Sequence, residues 1–222
     1  MIQDLEQIVT TVLPADPSFR LVGREAMDRH IDEARHNALA NLKDAFLLSL
    51  IRLLALAGNG HTRLIPNGAI SVMPVRFAAI GTVVRLLDSM PGFAAAIGGD
   101  LISINGVPVG EIEVAAEDFL AGTRQRRRVI GPILFAWPAA LRRLGVSSGG
   151  DTIEYRIRNE AGQIRDLLLD AANGVPGSTF YPRNEHGKAD SSWSPKSFLT
   201  IKDFGQRGLL LVLPSFFDPG ET

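Results

Sequence analysis

Hydrophobic and polar positions follow two different periods along this chain, and the change falls near residue 70. Before that point, apolar residues recur at helical spacing in residues 2–12, 24–36 and 41–57. The third segment is apolar on nearly every face, which is typical of a helix buried by its neighbours. The pattern therefore predicts a small helical cap built around one central helix.

After residue 70, short apolar runs bounded by Gly, Pro and Asn predict strands and turns. The predicted strands cover residues 72–77, 82–87, 101–104, 107–109, 152–158, 164–169, 198–201 and 208–213. Short helices are predicted at residues 91–97, 111–120 and 132–145. The order of these elements predicts an α+β fold, in which a helical cap precedes a β-rich part with short helices.

Composition changes again at residues 171–196, where Gly, Pro, Ser, Asn and charged residues predict a long loop or linker. The run at residues 208–213 is continuously apolar and predicts a strand buried on both faces. Such a strand needs neighbours in its sheet that the sequence does not supply. We therefore expect the chain to be the N-terminal portion of a longer protein.

Bulk properties exclude several classes of protein and of site. Hydrophobic residues make up 45% and charged residues 21%, as in globular proteins, and a net charge of -1 disfavours a nucleic-acid binder. The absence of cysteine excludes disulfides, thiolate metal sites and a cysteine nucleophile. We expect no metal and no cofactor, since the sequence carries no phosphate-binding loop and no zinc-peptidase motif.

The beginning of the chain lacks the pattern of a signal peptide, because acids follow Met1 where a basic region and an apolar core would be needed. No apolar run is long enough for a membrane span. As written, the sequence predicts a cytoplasmic protein. A periplasmic or secreted location would follow if an N-terminal segment had been removed.

Residues 98–109 form the clearest local motif, in which Asn105-Gly106 predicts a two-residue hairpin turn between two apolar strands. An ordinary hairpin would account for the periodicity. The amino-acid sequence of the segment is also similar to the hairpin of PDZ domains, whose pattern is GD-x-I-x-x-I-N-G-x-P-V.

Among four histidines, His61 stands apart because it follows the apolar helix directly and precedes a strand. His30 and His36 lie on a charged helix, and His186 lies in the predicted linker. A histidine on a loop held by a rigid helix suits a general base, whereas a loop-capping role would explain the same position.

The basic cluster at residues 124–128 has two interpretations that the sequence leaves open. It is either a solvated helix face or loop, or a docking surface for an acidic partner.

The order of these motifs resembles the N-terminal half of the tail-specific (C-terminal processing) serine protease family, in the branch that includes the tricorn core protease. The motifs are an apolar helix running into Gly60-His61-Thr62, the hairpin at residues 98–109, and a Leu-x-x-Leu-Gly segment before a second hairpin. The resemblance implies a PDZ-like partly open β-barrel followed by the first strands of an α/β protease core. The corresponding domains are a helical cap at residues 1–66, a PDZ-like domain at 70–171, and a linker with the start of the core at 172–222.

The resemblance also implies peptide-bond hydrolysis by a serine nucleophile, with His61 as the base. Ile80, Gly81 and Thr82 would bind substrate, with residues 78–81 as a carboxylate-holding loop and residues 82–87 as the edge of the peptide groove. The nucleophile would lie beyond residue 222, so that the chain alone is expected to be inactive. Two positions depart from the family pattern: Asn59 replaces the more usual acid, and Gly60 replaces the serine of tricorn-like members.

The implied partners are peptides or the C-terminal tails of proteins, and homo-oligomerisation is left open. Two other functions remain from the sequence: a peptide-binding PDZ adaptor without catalysis, and a catalytically dead relative that binds ligands in its cleft.

Overall fold

The computed structural model of the chain describes residues 1–64, 70–89, 91–147, 149–150, 152–174, 200–203 and 209–212. The chain divides into two compact units, Met1–Phe180 and Tyr181–Thr222. The first unit combines helices with an antiparallel sheet, which confirms the predicted α+β class.

Residues 1–55 form a helical cap, and the described loop at residues 56–64 follows it. Its helices are α1 (Ile2–Gln7), a π-helical turn (Ile8–Val12), α2 (Leu13–Ala15), a 3₁₀ turn (Pro17–Leu21), α3 (Arg24–Leu39) and α4 (Lys43–Ala55). The three predicted helices are confirmed with shifted boundaries, since α3 continues to Leu39 and α4 begins at Lys43. Asn41 adopts a φ of 56° in the turn between them, a conformation that asparagine tolerates better than most residues.

The central helix α4 belongs to two hydrophobic cores. Leu50 and Leu53 are buried in the core of the cap. Leu48 is buried in a second core, which is formed mainly by the sheet and its covering helices. Because 3.6 residues make one turn, positions 48 and 50 face nearly opposite directions. This double burial explains why α4 is apolar on nearly every face.

The described residues of the first unit include eight strands, and five of them follow one path through its main sheet. The strands are β1 (Ile70–Val72), β2 (Val75–Ile80), β3 (Val83–Ser89), β4 (Asp100–Ile104), β5 (Val107–Pro108), β6 (Thr152–Arg158), β7 (Ile164–Asp170) and β8 (Ala172–Gly174). The main sheet has the antiparallel order β2-β3-β4-β6-β7, with β5 paired to β4. β1 pairs with β8, with Ile70 opposite Gly174 and Val72 opposite Ala172.

One strand prediction and the linker prediction need correction. The predicted strand at 72–77 is divided between β1 and β2, because Met73 donates its N–H to the Ala136 carbonyl at 2.7 Å and Pro74 has no N–H to donate. The predicted linker at 171–196 begins with β8, and its residues 175–196 lie outside the described part of the chain.

The hairpin at residues 98–109 has the predicted turn, in which Asn105 and Gly106 adopt φ values of 48° and 79°. Asn105 also binds the next strand of the sheet: its N–H donates to the Glu154 carbonyl at 2.8 Å, and its Oδ1 accepts from the Glu154 N–H at 2.9 Å. Val109, predicted as strand, instead begins a helix directly after Pro108. The turn therefore joins β4 to β6 as well as to β5.

Short helices cover the sheet. They are a 3₁₀ turn (Pro91–Ala96), α5 (Val109–Ala115), a 3₁₀ turn (Ala116–Phe119), α6 (Arg124–Ile130), a 3₁₀ turn (Gly131–Ala136) and α7 (Pro138–Arg143). The Tyr155 hydroxyl on β6 donates to the Phe135 carbonyl at 2.7 Å, and its ring lies 5.3 Å from that of Phe77 on β2. Tyr155 is fully buried, and this burial raises its pKa well above the ordinary value. The hydrogen bond from Tyr155 to Phe135 fixes the 3₁₀ turn at residues 131–136 to the sheet.

In the second unit, β9 (Thr200–Asp203) and β10 (Leu209–Val212) form an antiparallel pair. Strands were predicted at 198–201 and 208–213, so both predictions overlap the observed strands. Phe198, Gly208 and Leu213 lie outside the described residues, as does the predicted two-sided burial of the second strand.

Candidate functional site

The loop that carries His61 begins where α4 ends. Gly58 adopts a φ of 67°, as expected for the glycine that follows a helix, and its N–H donates to the Ala55 carbonyl at 3.0 Å. Its own carbonyl accepts the N–H of Gly122 at 3.0 Å. The start of the loop is therefore fixed both to the helix and to the segment that precedes α6.

The Asn59 side chain holds the loop from inside. Its Oδ1 accepts the main-chain N–H groups of His61 and Thr62, both at 2.8 Å. Its Nδ2 donates to Thr62 Oγ1 at 2.9 Å, to Ser18 Oγ at 2.8 Å and, at 3.3 Å, to an Asp16 carboxylate oxygen. An acid at position 59 would have no hydrogens to donate and would face the Asp16 carboxylate. Asparagine is therefore the residue that this arrangement requires.

Asp16 anchors the loop to the start of the chain. Its carboxylate accepts hydrogen bonds from the Thr62 hydroxyl, the Ser18 N–H and the Asn59 amide. These bonds, with Thr62 first and Ser18 next, lower the pKa of Asp16 from 3.8 to about 2. We name the four side chains of Asp16, Ser18, Asn59 and Thr62 the loop anchor.

The loop anchor is expected to weaken as Asp16 takes up a proton. A carboxyl whose folded-state pKa is lowered stabilises the fold above its unfolded value of 3.8, and this contribution is lost as the pH falls toward about 2. The Tm difference between wild type and Asp16→Asn should therefore narrow between these pH values, as measured by circular dichroism melting. Glu25→Gln, at an exposed acid of α3, is the control and should show no such change. A difference that stays constant down to pH 2 would contradict the anchor.

Gly60 is in close contact with α6. A Cβ added at Gly60 would lie 2.2 Å from Arg126 Nε and 2.3 Å from Arg126 Cδ. A Cβ at Gly122 would also meet Arg126 and the Gly60 Cα, at 2.9 and 3.2 Å. The Arg126 side chain therefore occupies the space that a serine at position 60 would need.

His61 has a fixed main chain and an exposed side chain. Among the described residues, none hydrogen-bonds to its imidazole, so no serine is activated and no carboxylate orients the ring within that set. A neutral imidazole accepts a proton from a hydroxyl group only when the two lie within hydrogen-bond distance. The role of general base stays a prediction.

The predicted substrate-binding residues lie at the turn between β2 and β3. Ile80 ends β2 and is 46% exposed, and Gly81 with a φ of 58° and Thr82 form the two-residue turn. Two expectations about this region are wrong. Residues 78–80 belong to strand β2 rather than to a loop, and residues 82–87 lie largely in β3, which pairs with both β2 and β4. Among the described residues, β2 is the edge strand of the sheet on this side.

A cavity of about 750 Å³ lies at this end of β2, between α5 and α6. Ala79 and Gly81 line it from the strand and its turn, whereas Ile80 and Thr82 do not. The other lining residues come from the helices and the segments that follow them: Gly110, Glu113, Val114, Ala116, Glu117, Leu120, Arg124, Gln125, Arg127, Arg128, Val129, Gly131, Pro132 and Phe135. We call this space the β2 cavity.

α6 is shared by the loop and the β2 cavity. Arg126 packs on Gly60, while Arg124, Arg127 and Arg128 line the cavity. From the sequence, the basic cluster at 124–128 is either a solvated face or a docking surface. Arg126 has neither role in the structure, because its side chain packs on Gly60. Sequence reasoning missed the loop anchor, although the Asp16-Pro17-Ser18 pattern could have indicated the helix cap that Asp16 forms there.

The described residues include no group of three or more His, Asp or Glu side chains that could bind a metal ion. None of the described helices combines the length and the apolar character that a bilayer crossing requires.

Comparison of the chain with protein-family models and with curated protein sequences gives no match. Among solved structures, the chain is similar to mature CPAF, a chlamydial serine protease, with 17% identity and a TM-score of 0.44 over 79% of this chain and 34% of that chain. The complex of CPAF with lactacystin gives 17% identity, a TM-score of 0.42, and coverage of 65% and 30%. A CPAF mutant gives 18% identity and a TM-score of 0.43, over 81% of this chain and 35% of that chain. The chain thus spans about a third of the length of these proteins.

Proposed function

We propose that this chain is the substrate-handling part of a serine peptidase of the tail-specific protease family, with His61 as the general base. The observation that carries the proposal is the loop anchor, which fixes the main chain of His61 and leaves its imidazole exposed. A general base depends on such positioning, because proton transfer requires contact with the reacting group at hydrogen-bond distance. The motif of Gly60-His61-Thr62 ahead of the hairpin at 98–109 supports the same family.

In this proposal, the imidazole of His61 takes the proton of a serine hydroxyl as the serine oxygen attacks the peptide carbonyl. The same proton then passes to the leaving amine, so that the base returns as a neutral ring. The serine is proposed to lie beyond residue 222, and none of the described residues is assigned the role of nucleophile or of donor to the oxyanion.

The sheet and its covering helices, residues 70–171, are proposed to form a PDZ-like domain that captures the peptide. The position of β2 as the edge strand among the described residues supports this role, because an extended peptide can add to an edge strand through main-chain hydrogen bonds. The β2 cavity supplies space for side chains beside that edge.

The proposal is tested with a serine-directed fluorophosphonate probe and a fluorogenic peptide with a free C-terminus. Protein expressed from the complete reading frame is expected to be labelled and to hydrolyse the peptide. Residues 1–222 alone are expected to bind the peptide, without labelling. Absence of labelling in the complete protein would refute the peptidase, and labelling of residues 1–222 would refute the placement of the nucleophile.

A non-catalytic peptide-binding protein is the second candidate. It is favoured by Gly60, because the serine that accompanies the histidine in tricorn-like members is absent at this position and Arg126 packs on the glycine. Peptide binding by the complete protein, without labelling and without hydrolysis, would support it over the peptidase.

A further inference from the structure

We propose that the β2 cavity selects peptides that carry an acidic side chain, and that Arg124 is the residue that recognises it. The inference rests on the proposed function in one respect only, that the chain captures peptides. It names the class of peptide from the charges of the cavity itself.

The charged lining of the β2 cavity is cationic. Three arginines, Arg124, Arg127 and Arg128, face two carboxylates, Glu113 and Glu117. Since all three guanidinium groups stay protonated at neutral pH, the lining carries a net positive charge. A ligand with a carboxylate is therefore favoured over a neutral or basic one.

The carboxylates of the lining do not neutralise all three arginines. Arg127 Nη1 lies 3.8 Å from Glu117 Oε2, and Arg128 Nε lies 3.7 Å from Glu113 Oε1. Both ion pairs are therefore longer than hydrogen bonds. The exposed Arg124 has no carboxylate partner among the residues that the structure describes. Its guanidinium group is consequently the group best placed to bind a carboxylate, to which it can donate two parallel hydrogen bonds.

The remaining lining favours an extended segment with aliphatic neighbours of the acid. Val114 on α5 and Val129 on α6 are strongly exposed apolar side chains at this cavity. Ala79 lies on the edge strand β2 and lines the same cavity. An extended peptide places alternate side chains on opposite faces, so that one acid can reach Arg124 while aliphatic residues contact the valines.

The test is fluorescence anisotropy of the complete protein with labelled peptides of about six aliphatic residues, the length of a typical strand. A set of peptides places Glu, Gln or Lys at each position in turn. At the best position, Glu is expected to bind about five- to tenfold more tightly than Gln, as for a partly exposed charge-assisted contact. Raising NaCl from ~50 to ~500 mM is expected to reduce this preference by screening.

Arg124→Ala is expected to bring the Glu-to-Gln ratio close to one, with the fold checked by circular dichroism. Arg165→Ala is the matched control, because Arg165 is also an exposed arginine but lies on β7, at the other edge of the sheet. Equal affinity for Glu and Gln peptides, or a ratio unchanged in Arg124→Ala, overturns the inference.

Failure of this inference can be told apart from failure of the proposed function. Loss of acidic selectivity with peptide hydrolysis intact overturns the inference alone. Acidic selectivity in a protein that neither hydrolyses peptides nor reacts with the fluorophosphonate supports the inference and overturns the peptidase.

Discussion

Replacing His61 with alanine is expected to lower kcat for peptide hydrolysis by about 10²–10⁴-fold, the usual contribution of a positioned general base. The structure makes this substitution a clean test, because the imidazole is exposed and makes no hydrogen bond with another described residue. Asn59 contacts the main chain of His61 and not its ring, so the loop should keep its conformation. The measurement is steady-state kinetics of the complete protein on a fluorogenic peptide.

KM should change little in His61→Ala, because a base acts in the transition state rather than in substrate binding. His36→Ala is the matched control: this histidine is exposed in the last turn of α3, and its removal should leave both constants unchanged. If His61→Ala loses no more activity than His36→Ala, His61 is not the base.

Leu53→Ala is expected to lower the free energy of unfolding by about 3–5 kcal/mol, the range for leucines in well-packed cores. Leu53 is 0% exposed in the core of the cap, where α3 packs on α4. Truncation there reduces the buried apolar area and leaves a cavity in the core of the cap. The same helix, α4, also contributes to the core of the sheet. The measurement is urea denaturation followed by circular dichroism.

Leu39→Ala provides the comparison, since Leu39 ends α3 and is 73% exposed. It should change the free energy of unfolding by no more than about 0.5 kcal/mol. Because α4 belongs to both cores, Leu53→Ala should shift one cooperative transition rather than separate the cap from the sheet. A biphasic curve in Leu53→Ala would contradict this sharing of α4.

Elements with a clear period could be predicted from the sequence. The three helices of the cap, the Asn105-Gly106 turn and the hairpin of β6 and β7 follow from local patterns, because each depends on neighbours within a few residues. Errors arose where a distant contact decides the local structure. The strand at 72–77 is interrupted by a bond from Met73 to Ala136, which lies more than sixty residues away in the sequence.

The candidate site was predicted only in its exposed part. His61 stands out because of its position after a buried helix, but the partners from outside its loop, Asp16 and Gly122, are separated from it by long stretches of sequence. The pattern indicates which residue is able to react. It carries no signal for the residues that hold the loop, since a polar side chain has the same local pattern whether it is solvated or bonded to a distant partner.

The pairing of β1 with β8 has a consequence for the architecture of the protein. Ile70 and Gly174 lie opposite each other, so the chain enters and leaves the segment 70–174 at neighbouring points, about 5 Å apart as in any antiparallel pair. A segment with adjoining ends can be inserted into a host chain without stretching it, as successful domain insertions show. Residues 70–174 thus meet the geometric condition for an inserted unit at their two ends, while their core includes Leu48 of α4 and therefore depends on the cap.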